Sequence, residues 1–88
     1  MYQTIGERIE VVVVYGPPAS KLRGKLKPIK FRWRGKVYPI RQITLATDTK
    51  DGGVRRRFFS VVSGGNVYRI CFNRESEDWI LEEVWMEG

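Results

Sequence analysis

Apolar and polar residues alternate with a period of two along most of this chain, and gaps containing glycine or proline cut the alternation into segments. Period two puts successive side chains on opposite faces of an extended strand, so the pattern predicts β-structure almost throughout. Residues 7–15, rich in β-branched Val, read as a first strand that stops at Gly16-Pro17-Pro18. Residues 17–27 interleave Lys21, Arg23, Lys25 and Lys27 with small and apolar residues, and their prolines and Gly24 predict a flexible basic loop. Residues 29–34 and 36–47 form a hairpin around Gly35. Residues 48–53 are a turn. Residues 54–63 and 66–73 form a second hairpin closed by Gly64-Gly65, a strong local signal for a tight turn.

Side-chain parity assigns the faces. A turn at Arg34-Gly35 sets Phe31 against Tyr38, whereas one at Gly35-Lys36 sets it against Ile40. In both cases Ile29, Phe31, Trp33, Tyr38 and Ile40 share a core face, and Lys30, Arg32, Arg34 and Arg41 share the other with Val37. The parity slips at Ile43 and Leu45, which predicts a bulge or bend near Arg41-Gln42 that returns both side chains inward. Pro39 lacks an N–H donor and marks a sheet edge. In the second hairpin Phe59, Val61, Tyr68, Ile70 and Phe72 face inward, while Arg56, Phe58, Ser60, Val62, Arg69 and Cys71 face outward.

Residues 78–86 fit two patterns. Ile80, Leu81, Val84 and Trp85 have helical spacing with Ser76 as a cap, whereas a strand puts Trp79 and Leu81 on one face with Trp85 rejoining them. The strand is preferred. The whole is a single all-β domain over residues 1–88, a small antiparallel barrel or curved sandwich of about six strands with a basic flexible loop at 17–27.

Composition adds limits. Of 88 residues 42% are hydrophobic, including Trp33, Trp79 and Trp85, enough for one core in one domain. Cys71 is alone, so an intramolecular disulfide is excluded and a reducing compartment fits. Residues 1–10 lack the apolar core of a signal peptide, and Val11-Val12-Val13-Val14-Tyr15 is too short to span a bilayer. A cytoplasmic protein without a membrane partner is expected. Net charge is +6, but residues 21–57 carry 13 Lys/Arg against Asp48 and Asp51, and residues 75–88 carry six acids and no base. Such segregation favours an anionic partner unless the acidic end folds back over the basic middle.

Catalysis is disfavoured. With no His, the Cys–His and Ser–His nucleophile systems are excluded, and one Cys removes the usual zinc ligand sets. The glycine pairs belong to turns, and no phosphate-cradling loop ending in Lys-Ser/Thr occurs. Glu82 and Glu83 alternate across a strand and make no acid/base pair, and Glu75, Glu77 and Asp78 read as an exposed acidic turn. No enzyme, cofactor or metal is expected.

Arg or Lys alternates with aromatic rings in Lys30-Phe31-Arg32-Trp33-Arg34 and Arg55-Arg56-Arg57-Phe58-Phe59. Fixed cations neutralise phosphates and exposed rings stack on unpaired bases, so single-stranded DNA or RNA is the expected partner. Lys30, Arg32, Arg34, Arg41, Arg56 and Arg69 are the candidate phosphate contacts. Lys21, Arg23, Lys25 and Lys27 are a clamp, and Phe58 is the stacking ring. The plainer alternative is that amphipathic strands need a polar outer face, which Arg and Lys supply in many proteins that bind nothing. A rival from another class is a docking domain or homodimer that uses a Phe58/Val62/Cys71 strip against a larger protein or a second copy.

The string Phe31-Arg32-Trp33-Arg34-Gly35-Lys36-Val37-Tyr38-Pro39-Ile40, with Ile9-Glu10-Val11 before it and Trp79-Ile80-Leu81-Glu82-Glu83-Val84-Trp85 after it, resembles a small bacterial domain family. That family occurs alone or at the C-terminal end of proteins similar to Y-family damage-tolerance DNA polymerases. The likeness spans roughly residues 9–85, with departures in a longer, more basic segment at 17–27 and the lack of tryptophans before Arg55. It implies an all-β fold and a DNA-repair context, and it assigns no site residues.

Overall fold

Connectivity follows from three two-residue turns, Arg34-Gly35, Gly52-Gly53 and Gly64-Gly65, in which both residues have positive φ. That is the primed-turn geometry whose twist matches the strands it joins. The computed structural model of the chain describes residues 2–16 and 26–86. Seven strands appear among them: β1 (Tyr2–Tyr15), β2 (Leu26–Trp33), β3 (Lys36–Pro39), β4 (Gln42–Asp51), β5 (Val54–Ser63), β6 (Asn66–Asn73) and β7 (Trp79–Trp85). All pair antiparallel in the order β3-β2-β1-β7-β6-β5-β4. No helix among the described residues is long and apolar enough to cross a membrane.

Two devices curl this sheet over its core. β1 pairs with β7 through its first half and with β2 through its second, and it bends at Gly6 (φ +68°), where the register slips between Thr4 and Glu7. At the other end the two edge strands are consecutive in sequence. Between them the Ile40 N–H donates to the Ile29 carbonyl at 2.9 Å and the Arg41 N–H to the Val62 carbonyl at 2.8 Å. The ribbon thus passes from β2 to β5 at one corner. Because β3 and β4 do not pair with each other, the result is a curved sandwich rather than a closed barrel.

The core comprises Ile9, Phe31, Phe59, Val61, Tyr68, Ile70, Trp79, Leu81 and Val84. Phe31 stacks on Tyr38 at 5.0 Å and meets the Tyr68 ring edge-on at 5.2 Å, which brings β2 against β6 across the interior. The Phe31–Tyr38 pairing selects the Arg34-Gly35 turn, and β3 is an edge strand, as Pro39 predicts.

Several expectations need correction. The segment 36–47 is two strands broken at Ile40-Arg41, which makes seven strands among the described residues, and the one taken to start at Glu7 starts at Tyr2. β4 continues to Asp51 and confines the turn to Gly52-Gly53. Lys27 belongs to β2, where it pairs with Val14, and residues 17–25 of the predicted loop lie outside the described residues. Bulges also redirect three apolar side chains. Ile29 is the extra residue where β1 and β2 slip, so Pro28 is buried in its place. The slip at Thr44 leaves Ile43 packed on the core and Leu45 58% exposed. An extra residue at Glu82 turns Val84 inward and leaves Trp85 51% exposed.

Candidate nucleic-acid interface

Alternation along β2, reset by the bulge at Ile29, buries Pro28 and Phe31 and turns Lys27, Lys30 and Arg32 outward, all exposed. Their register partners on β1 are Val14, Val12 and Glu10, and Arg32 also lies opposite Val37 of β3. Val12, Val14 and Val37 are themselves exposed, so the row consists of cations set among small apolar side chains. Among the described residues these three cations make no ion pair, although Glu10 sits across from Arg32. Residues 17–25, with Lys21, Arg23 and Lys25, lead in sequence directly into this row at Leu26.

Arg34 does not belong to the row. It occupies the turn at φ +51° and folds back on β1, donating from Nη2 to Glu7 Oε2 at 2.6 Å and from Nε to Glu7 Oε1 at 3.3 Å. Trp33 Nε1 donates to the same Glu7 Oε1 at 3.0 Å, and the Arg34 guanidinium lies 4.6 Å from the Trp33 ring centre. The Arg34 hydrogen bonds, then that from Trp33, hold the Glu7 carboxyl below its ordinary pKa, and Glu7 in turn raises Arg34. Arg41 is exposed at the corner, outside β2, where it borders a groove with Lys36, Val37, Pro39, Ser63 and Tyr68.

Arg56, Phe58 and Arg69 lie on the outer face of β5 and β6. Phe58 is half-buried rather than open, because the Arg69 guanidinium covers its ring at 4.6 Å. Cys71, the register partner of Phe58, is buried beside them. Burial first, then the charge of Glu82, pushes its thiol pKa up.

These two sets of cations face away from each other. Phe31 of β2 touches Tyr68 of β6 across the core, and Lys30 and Arg32 flank Phe31 just as Arg69 flanks Tyr68. Residues next to inward-facing ones point outward, so the β2 row and the Arg56/Arg69 group occupy opposite outer surfaces. The basic face expected from the sequence is therefore two faces. Among the described residues no tail carboxylate forms an ion pair with either set, although Glu83 is the register partner of Arg69: Glu75 reaches Arg55 at 3.8 Å and Asp78 reaches Arg8 at 3.0 Å.

Residue types alone did not single out Glu7, Lys50 and Arg74. Glu7 lies 26 residues from Trp33, and Lys50 and Arg74 meet only through the pairing of β4, β5 and β6. No group of three or more His, Cys, Asp or Glu among the described residues converges to hold a metal ion. Comparison with known proteins returns no matching family model, curated protein or solved structure.

Proposed function

We propose that this protein is a non-catalytic module that binds single-stranded DNA or RNA along the outer face of β2. The observation that carries this reading is that Lys27, Lys30 and Arg32 stand exposed without ion-pair partners among the described residues, whereas Arg8, Arg34, Arg55 and Arg57 each meet a carboxylate. Lys21, Arg23 and Lys25 extend the same run of charge. Cations in such a row neutralise phosphates and release the counterions condensed on the nucleic acid, which favours binding at low salt. A damage-tolerance setting, where single strands occur, rests on the family resemblance alone.

Fluorescence anisotropy with a labelled oligonucleotide tests the reading. Three phosphate contacts give a slope of log affinity against log salt of about −2 from β2 alone. The triple substitution Lys27→Gln, Lys30→Gln, Arg32→Gln flattens the slope by that amount. If the wild type fails to bind at low salt, the proposal is wrong.

A second reading, docking onto protein, draws on a different observation. Tyr2 and Trp85 pack edge-to-face at 6.0 Å while both stay about half exposed, and Leu45 is exposed on the same outer surface. For a homodimer through this patch, sedimentation shows a dimer that Trp85→Ala dissociates. A wild-type monomer excludes self-association.

A further inference from the structure

The far end of the β4–β5 hairpin holds a groove of about 200 Å³ lined by Asp48, Thr49, Lys50, Arg55, Arg56 and Arg74. Four of these six residues are cationic. Register sets Lys50 directly opposite Arg55, and like charges facing each other across a strand pair repel. The Arg74 N–H donates to the Arg55 carbonyl at 2.8 Å, which fixes a third cationic residue against the same strand. Arg56 is half-buried between its register partners Thr49 and Asn73.

Two of the nearby carboxylates are engaged, and Asp51, next to Lys50, forms no ion pair with these cations. Asp48 Oδ1 lies 3.1 Å from Nε of Arg57, whose side chain is only 19% exposed and has no other partner for that buried nitrogen. Glu75 reaches Arg55 only at 3.8 Å. Among the described residues no ion pair involves Lys50, Arg56 or Arg74. The fold thus sets Lys50 and Arg74, which have no ion-pair partner among the described residues, beside Arg55, whose one carboxylate partner is Glu75 at 3.8 Å, around a space that suits a small anion.

We infer that this groove binds a phosphate-class dianion, either free or as the terminal phosphomonoester of a larger molecule. The guanidinium forks of Arg55 and Arg74 match the oxygens of such a group and Lys50, in the same cross-strand row, adds an ammonium, while Thr49 and Arg56 border the groove from the next register position. The site is separate from the β2 row, since β1, β7 and β6 intervene in the sheet, and it stands whether or not that row binds nucleic acid.

The test is a titration of the isotope-labelled full chain with inorganic phosphate at constant ionic strength, followed by amide NMR. The expected result is saturable shifts at Lys50, Arg55, Arg56 and Arg74, and a melting temperature that rises with phosphate. Lys50→Gln with Arg74→Gln weakens binding by about tenfold or more, the loss of one to two charge-assisted contacts. That double variant melts no lower than wild type without phosphate, because repulsion has been removed. The β2 triple variant responds like wild type. Short oligonucleotides with a 5′-phosphate or a 5′-hydroxyl separate the sources. Shifts of the same amides by the phosphorylated form, at lower concentration than free phosphate, identify a polymer end, and equal concentrations identify a free monoester. Linear, unsaturable shifts, or saturable ones that the double variant retains, overturn the proposal.

Discussion

Glu7 is the residue through which β1 fastens the β2–β3 turn. Its carboxylate collects the indole N–H of Trp33 and two donors of Arg34, and it does so for a residue held at φ +51°, where side chains other than glycine are uncommon. The consequence is a pH dependence of defined sign. Because Arg34 and then Trp33 lower its pKa in the folded protein, Glu7 contributes stability that is fully present above its ordinary value of about 4.5. That contribution is lost as pH falls through the lower folded value. The wild-type melting temperature therefore falls more steeply than that of Glu7→Gln on acidification below about pH 4.5, while the variant is the less stable of the two near neutrality. Parallel curves would mean that the contact contributes nothing to stability.

The strands are set by turns that are local and by bulges that are not. Gly65 shows the local part: it sits at φ +83° with open space where a Cβ would stand, so Gly65→Ala meets backbone strain and no clash. A cost of about 1–2 kcal/mol follows, read as a lower urea midpoint with an unchanged slope. No change in midpoint would show that the turn relaxes to another type. Such turns are legible because two residues specify them, and the faces of Phe31, Phe59, Tyr68 and Ile70 followed from parity for the same reason. Ile29, Leu45 and Trp85 were not legible. Counting by twos assumes an unbroken ladder, and the three slips that redirect them arise from the curvature of the whole sheet. The start of β1 escaped for a related reason: Tyr2 pairs with Trp85, nearly the whole chain away.

For the molecule as a whole, curvature decides what the charges can do together. That Lys30, Arg32, Arg56 and Arg69 point outward is written in the alternation. That they point in opposite directions is not, since it depends on β2 and β6 meeting through Phe31 and Tyr68. β2 packs over β6 across the core, so the two layers stand about 10 Å apart and side chains pointing outward from each lie farther apart still. The screening length at physiological salt is about 8 Å, so cations on the far surface contribute little to a strand lying on β2. An oligonucleotide without a terminal phosphate isolates this effect from any anion held at the β4–β5 hairpin. Arg56→Gln with Arg69→Gln should then change its affinity by less than about twofold and leave the salt slope alone, whereas the β2 triple variant removes about two units of slope. Equal losses from the two variants would require a strand that wraps from one surface to the other, with the sheet edge at Arg41 as its route.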